Sequence, residues 1–226
     1  MTPKRKNTWL SWSSGKDSAW ALQVLRQSDE YEVTGLFTTI NIAFDRVAMH
    51  AVRVDLLCEQ ARAVGLPLYL FEFPYPCSDE QYAAAMADFV ARANSYGVQC
   101  MAFGDLYLED VRRYREERLQ GTGIAPVFPL WGKPTRPLLE EMLASGLRAC
   151  LTCVDPRVLS AVFAGCELTT ALLERLPDGI DPCGENGEFH TFCWSSSDFA
   201  EPVSFAPGEA VLREGRFRFI DLLIRQ

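Results

Sequence analysis

The chain has 226 residues, 48% of them hydrophobic and 23% charged, an ordinary balance for one large globular domain or a main domain with a smaller lobe. Its net charge of −8 argues against DNA, other nucleic acids or an anionic membrane as partners, because phosphate-rich partners require clustered Lys and Arg. No apolar run is long enough to span a membrane or to form a signal-peptide core, so we expect a cytoplasmic protein.

The first 130 residues alternate predicted strands and helices. Apolar runs predict strands over residues 7–12, 33–39, 68–73, 98–103 and 125–130. Helical patterns lie between them, over residues 17–27, 48–64, 78–96 and 108–120. This alternation predicts an α/β fold, with a doubly wound, mostly parallel sheet covered by helices on both faces.

The pattern changes near residue 131, where helices shorten and prolines become frequent. A helix over 137–144 and a strand over 148–154 are still predicted, followed by short strands over 188–194, 202–205 and 217–220. We therefore expect a nucleotide-binding domain over residues 1–130 and a smaller substrate-binding lobe over 131–226.

The segment after the first predicted strand, which we call the serine loop, reads Ser13, Ser14, Gly15, Lys16, Asp17 and Ser18. A strand, a loop of small residues and a helix N-terminus in that order make a phosphate site, because backbone N–H groups and the helix dipole point at the anion. The loop lacks the Gly-x4-Gly-Lys-Ser/Thr pattern of a Walker A motif. A plain serine-rich turn that caps a helix is the alternative.

A second loop follows the fourth predicted strand of this order, at Gly104 and Asp105. Carboxyl ends of parallel strands meet at one edge of a sheet, so this loop and the serine loop are expected side by side. Asp105 is a candidate ligand for Mg²⁺ or nucleotide, or alternatively the N-cap of the next helix.

The second unusual segment is the acidic turn, residues 181–191. It concentrates polar groups between glycines, at Gly184, Glu185, Asn186, Glu188, His190 and Thr191. Such a turn can aim carboxylates and an imidazole into a cleft, where they serve as acid, base or substrate ligands. A solvated turn ahead of an edge strand is the alternative.

Cysteine is abundant, with eight residues, but only Cys150 and Cys153 form a Cys-x-x-Cys pair. A structural zinc site usually shows two such pairs. We therefore expect reduced, buried thiols that pack as small hydrophobic groups.

Together the serine loop and the acidic turn resemble the diphthine–ammonia ligase family. These are PP-loop ATP pyrophosphatases of the adenine nucleotide α-hydrolase-like superfamily. The resemblance extends through Phe103-Gly104-Asp105 and Phe128-Pro129-Leu130-Trp131 and covers nearly the whole chain. The PP-loop pattern is Ser-Gly-Gly-x-Asp-Ser, and Ser14 stands where it has glycine. That replacement predicts that Ser14 does not need a positive φ.

The resemblance implies an ATP-dependent amide ligase of the AMP-forming type. A carboxylate is adenylated, pyrophosphate leaves and ammonia displaces AMP. In the archetypal case the carboxylate is diphthine, a modified histidine of elongation factor two. The implied ligands are ATP, Mg²⁺, ammonia and the carboxylate, and the sequence is compatible with a homodimer.

The resemblance also implies roles for residues. The serine loop would hold the pyrophosphate part of ATP, with Lys16 neutralising the charge that develops on the leaving group. Asp17 and Asp105 would bind Mg²⁺, and Thr38 and Thr39 would lie near adenine. On the acceptor side, the catalytic candidates are Glu185, Glu188 and His190, and the sequence leaves open which of the three is the base. The arginines of residues 112–118 are expected on a solvated helix face with pairs such as Arg112–Glu116, although one could reach the phosphates.

Three alternatives differ in what they require. A ligase acting on a small metabolite or cofactor would keep the same loops. A non-catalytic nucleotide sensor of the universal-stress-protein kind would not need the acidic turn. A tRNA thiolase would need catalytic cysteines and a basic surface, and the net charge of −8 argues against it.

Overall fold

The computed structural model describes residues 4–41, 46–47, 52–73, 76–213 and 216–225. Its larger sheet holds five parallel strands in the order β4-β2-β1-β5-β6, and the short β3 pairs antiparallel with the end of β2. The strands are β1 (Lys6–Ser11), β2 (Tyr31–Asn41), β3 (Arg46–Val47), β4 (Leu68–Phe73), β5 (Cys100–Ala102) and β6 (Ala125–Val127). The predicted α/β architecture is confirmed.

Four helices connect these strands. They are α1 (Lys16–Arg26), α2 (Val54–Val64), α3 (Asp79–Ser95) and α4 (Glu109–Leu119). The start of α3 is set by a capping box, in which Ser78 and Gln81 bond each other's backbone N–H groups. Helix α2 begins later than predicted, because Arg53 is extended (φ −68°, ψ 146°), and the predicted helical residues 48–51 lie outside the described residues.

The second sheet is antiparallel, in the order β8-β7-β10-β9. Its strands are β7 (Arg148–Val154), β8 (Phe189–Ser195), β9 (Phe205–Arg213) and β10 (Phe217–Ile224). Helix α5 (Thr135–Ala144) precedes it, and a 3₁₀ turn (Ala161–Phe163) and α6 (Thr170–Leu173) lie between β7 and β8.

The strand predicted over 202–205 is wrong, because β9 only begins at Phe205 and continues to Arg213. Pro207 and Gly208 interrupt the strand pattern in the sequence. Strand β9 lies at the edge of its sheet, where a proline that cannot donate a ladder hydrogen bond is tolerated.

One hydrophobic cluster contains residues from both halves of the chain, among them Leu10, Leu56, Leu151 and Phe192, all fully buried. The division at residue 130 stays a prediction. Within the described part of the chain, no helix is long and apolar enough to cross a membrane.

Candidate functional site

A cleft of about 480 Å³ opens at the carboxyl edge of the parallel sheet. Strand β1 lies between β2 and β5, so the loops after β1 and β5 are neighbours at this edge. A crevice of this kind is the usual ligand site of open parallel sheets, and its size falls in the usual range of about 300–1,000 Å³ for small-molecule sites. We call it the central cleft.

The central cleft contains most of the side chains singled out from the sequence. Those in its wall are Ser13, Lys16, Asp17, Ser18, Thr38, Thr39, Gly104, Asp105, Gly184, Glu185, His190 and Thr191. Predicted residues outside its wall are Ser14, Gly15, Asn186 and Glu188. The serine loop and the acidic turn therefore face one cavity, as the amidation hypothesis requires.

Ser14 corrects the expectation about the serine loop. Its φ is 72°, and among the described residues it is the one non-glycine residue with a positive φ. The Ser14 carbonyl accepts hydrogen bonds from the backbone N–H of Cys193 (2.8 Å) and from Gln60 Nε2 (3.0 Å). Ser14 thus keeps the conformation that glycine adopts freely, and contacts from two other elements hold it there.

Lys16 begins α1 and is almost fully buried, at 2% exposure. Its Nζ donates to the carbonyl of Cys183 in the acidic turn and lies 2.8 Å from Asp17 Oδ2. Burial alone lowers the pKa of Lys16, but the charge of Asp17 and the surrounding polar groups outweigh burial and raise it. Lys16 is therefore a fixed positive charge between the serine loop and the acidic turn.

The N-terminus of α1 is also joined to the second sheet. The backbone N–H of Lys16 donates to Thr191 Oγ1 at 3.1 Å. One of the N–H groups left free at a helix start is thereby bound to β8, while Ser18 Oγ donates to the carbonyl of Gly15 at 2.9 Å. These bonds fix the distance between the predicted phosphate site and the acidic turn.

Gly104 keeps the loop after β5 close to the serine loop. A Cβ at this position would lie 3.1 Å from the backbone C and O of Asp17, closer than side chains normally pack. Asp17 Oδ1 is buried and has no hydrogen-bond partner in the structure. A close backbone cradle beside an unsatisfied carboxylate oxygen fits a phosphate group with an associated cation.

The fit to Mg²⁺ rests on Asp17. Among the described residues, no three or more His, Cys, Asp or Glu side chains are grouped so that they could hold a metal ion. Mg²⁺ at nucleotides needs only one or two carboxylates, because phosphates and water supply the rest. Asp17 Oδ1 would hold it, and Mg²⁺ would then neutralise phosphate charge during transfer.

Asp105 is held by an arginine. Arg115 Nε lies 2.9 Å from Asp105 Oδ2, and both residues line the central cleft. The alternative N-cap role of Asp105 is wrong, because the N-cap of α4 is Leu108, which makes no side-chain cap bond. The predicted Arg112–Glu116 pair is confirmed at 2.8 Å, and Arg115 is the arginine of this helix that reaches the cleft.

Thr38 and Thr39 lie within β2 and not at its end, since the strand continues to Asn41. Both line the central cleft, and Thr38 Oγ1 donates to the carbonyl of Trp12. The hydroxyl of Thr38 thus joins β2 to the residue before the serine loop, so Thr39 is the better candidate of the two for contact with a ligand.

The acidic turn is shaped by its own side chains. Asp181 Oδ1 accepts the backbone N–H groups of Cys183 (2.9 Å) and Glu185 (3.2 Å). Glu188 Oε1 accepts the N–H of Asp181 (3.0 Å) and the amide of Asn186 (3.0 Å). Glu188 and Asn186 therefore hold the turn from behind, and a direct contact of either with substrate stays a prediction.

Glu185 points the other way, into the central cleft. Its Oε1 accepts the backbone N–H of Leu106 at 2.7 Å, which links the acidic turn to the loop after β5. Burial raises the pKa of Glu185 to about 7. Of the carboxylates in the cleft wall, Asp17 and Asp105 are ion-paired and Glu185 has no ion pair among the described residues.

His190 and Cys183 also line the cleft, but their environment suppresses charge. Burial, reinforced by the charge of Lys16, lowers the pKa of His190 to about 4, so the imidazole is neutral near pH 7. Burial raises the pKa of the Cys183 thiol to about 12, which makes it a poor nucleophile. Cys150 and Cys153 are buried thiols of β7, as expected, whereas the expectation of burial is wrong for Cys58, which is exposed.

The sequence analysis assigned no individual role to several residues of the cleft wall. These are Ser11, Trp12, Phe103, Leu108, Val111, Arg115, Cys183 and Phe189. Most are apolar and look like core residues in the sequence. A sequence pattern does not show which apolar residues of a domain lie beside a ligand. Arg115 was included only as one of the arginines of residues 112–118.

Comparison with known proteins decides the family. The sequence family described as the diphthamide synthase N-terminal domain matches residues 6–125, more than half of the chain. The chain belongs to the diphthamide synthase family. It is 30% identical to diphthine–ammonia ligase of Danio rerio in an alignment 181 residues long, which covers 70% of this chain and 67% of that protein.

A second relative is diphthine–ammonia ligase of Rattus norvegicus, 31% identical over 112 residues. That match covers 46% of this chain and 42% of the rat protein. The resemblance found in the sequence is confirmed, and membership places the chain among the ATP-dependent ligases of diphthamide biosynthesis.

Proposed function

We propose that this ligase adenylates a carboxylate with ATP and transfers ammonia to it, releasing AMP and pyrophosphate. The observation that carries the proposal is the shared central cleft, which is lined by both the serine loop and the acidic turn. An acyl-adenylate must contact the phosphate site and the acceptor site at once, and one cavity between the two segments satisfies this requirement.

In the first step a carboxylate oxygen attacks the α-phosphorus of ATP and pyrophosphate leaves. Lys16, a buried cation at the N-terminus of α1, supports the negative charge that grows on the leaving group. Ser13 also lines the cleft, and its hydroxyl supplies a further donor, whereas Ser18 Oγ already donates its one hydrogen to the Gly15 carbonyl.

In the second step ammonia attacks the acyl carbon, the nitrogen loses a proton and AMP leaves. We assign the proton to the carboxylate of Glu185, because Glu188 lies behind the turn and His190 is a weak base. With a pKa of about 7, Glu185 can accept a proton near neutral pH and return it to solvent.

As the carboxylate we propose diphthine, since both curated relatives are named diphthine–ammonia ligases. The cleft opens at the edge of the sheet, so it can take a side chain presented by a larger protein as well as a free carboxylate. A small metabolite or cofactor carboxylate is the outcome that would replace diphthine in the experiment below.

The test is a product analysis. The protein is incubated with ATP, Mg²⁺, ¹⁵N-ammonium and either diphthine-containing elongation factor two or a panel of small carboxylates. We expect AMP and pyrophosphate with the first acceptor, together with ¹⁵N in the modified histidine. ADP and phosphate as the main products would contradict the reaction, and ¹⁵N only in a small carboxylate would contradict the acceptor.

A further inference from the structure

Gln60 is a fully buried amide on the apolar face of α2. Its neighbours along this face, Leu56, Leu57, Ala61 and Val64, are buried hydrophobic residues. An amide in such a place is destabilising unless its hydrogen bonds are made. The hydrogen-bond partners of Gln60 therefore indicate its structural role.

Gln60 bonds to three elements at once. Its Oε1 accepts from the indole Nε1 of Trp12 at 2.9 Å, in the residue directly after β1. Its Nε2 donates to the carbonyl of Ser14 at 3.0 Å and to the carbonyl of Cys193 in β8. Gln60 thus joins Trp12 and Ser14, the residues on either side of Ser13, to β8 of the second sheet.

The bond to Ser14 determines where the next backbone N–H points. A trans peptide unit is planar, so the Ser14 carbonyl and the Gly15 N–H point in opposite directions. Gln60 and the N–H of Cys193 fix the carbonyl on the protein side, which turns the Gly15 N–H away from them, beside Ser13 Oγ. With Ser14 at a more favourable negative φ, this peptide plane would turn and both contacts would be lost.

We propose that Gln60 is a positioning residue of the ligase: it holds Ser14 in its left-handed conformation and so keeps the serine loop shaped for phosphate and docked on the acceptor strand β8. The inference rests on the proposed function, because the loop is taken to bind ATP. It predicts a specific rescue, since glycine at position 14 adopts φ 72° without being held.

The experiment measures ATP affinity by calorimetry and steady-state kinetics for wild type, Gln60→Met, Ser14→Gly and the double variant. Gln60→Met removes the amide at nearly constant shape. We expect about tenfold weaker ATP binding in Gln60→Met. Ser14→Gly should restore most of this loss in the Gln60→Met background.

Gln23→Met is the matched control. Gln23 Oε1 accepts from Ser197 Oγ at 3.1 Å, so this amide also joins α1 to the C-terminal half, but away from the serine loop. Its ATP affinity should equal that of wild type. If Gln60→Met does not fold, Gln60→Asn, whose amide is one methylene shorter, replaces it in the same comparison.

The outcomes separate the two proposals. Wild-type protein that does not bind ATP would overturn the proposed function. ATP binding by wild type with unchanged affinity in the folded Gln60 variant would overturn this inference alone. A folded variant that loses ATP affinity without rescue by Ser14→Gly would also overturn it, because Gln60 would then act through something other than the conformation of Ser14.

Discussion

The serine loop and the acidic turn are stabilised in different ways, although both line the central cleft. The serine loop is held from outside, by Gln60 of α2 and by Thr191 and Cys193 of β8. The acidic turn has contacts to other elements at Glu185 and Cys183, but it is also held from inside, by the carboxylates of Asp181 and Glu188, which accept the turn's own N–H groups. Gln60 and Cys193 bind the carbonyl of Ser14 and use none of the loop's N–H groups, whereas Thr191 accepts the N–H of Lys16. Support through a carbonyl is compatible with phosphate binding, which uses N–H groups.

The carboxylates within the acidic turn also have different roles. Asp181 and Glu188 are used by the turn itself, whereas Glu185 reaches across to Leu106 and lines the cleft. Similar residue types within eight positions therefore have different tasks, and their hydrogen-bond partners distinguish them.

The largest expected effect is at the link between the two segments. Lys16→Ala removes the buried cation that contacts Asp17 and the Cys183 carbonyl. We expect kcat/KM for ATP to fall by about 100-fold or more, because a preorganised charge at the leaving group is lost. Calorimetry should show weaker ATP binding as well. Lys6→Ala, which removes the surface pair with Glu30, is the control, and equal ATP affinity in both variants would refute the role of Lys16.

The next effect tests the division of labour within the acidic turn. Glu185→Gln keeps an oxygen for the Leu106 N–H but cannot accept a proton, so kcat should fall about 100-fold. Since the base works when deprotonated, wild-type kcat should rise as pH increases through about 7, and the variant should lose this rise. The profile is measured at saturating ATP and constant free ammonia.

Glu188→Gln is the matched control for this profile. It keeps an oxygen for the N–H groups of Asp181 and Asn186 and lies outside the cleft wall, so the wild-type pH dependence should remain. A rise near pH 7 that persists in Glu185→Gln but vanishes in Glu188→Gln would reverse the two assignments.

The smallest effect concerns the strain in the serine loop. Ser14→Gly should stabilise the protein by about 1 kcal/mol. A positive φ costs a serine about 1–2 kcal/mol, and glycine avoids this cost. The greater conformational entropy of glycine in the unfolded chain offsets part of the gain. Its buried hydroxyl has no partner in the structure, which adds to the gain. Calorimetric melting should show Tm higher by about 2–4 °C.

Ser13→Gly is the comparison within the same loop. Ser13 does not have a positive φ and its Oγ accepts from the Gly15 N–H, so glycine there should leave Tm unchanged or lower it. A Ser14→Gly variant that melts below wild type would mean that the serine is not strained at this position.

The sequence by itself determined the architecture of the first half and the two segments of the site. Strand β4 and strand β7 have the predicted bounds, because continuous apolar runs between polar turns are local signals. The serine loop was found from its position between a strand and a helix, and the acidic turn from its density of polar residues between glycines. Strand β9 was missed in part, because its tolerance of Pro207 depends on its edge position, which is a property of the sheet.

Only the tertiary structure decided how the site works. Nothing local to Ser14 favours a positive φ. Its carbonyl is held by Gln60 of α2, which lies 46 residues further along the chain, and by the still more distant Cys193 of β8. The separate roles of Glu185 and Glu188 likewise depend on which side chain reaches Leu106 and which turns back on Asp181. Sequence patterns report residue types and periodicity, whereas strain, burial and pKa depend on the groups that the fold brings into contact.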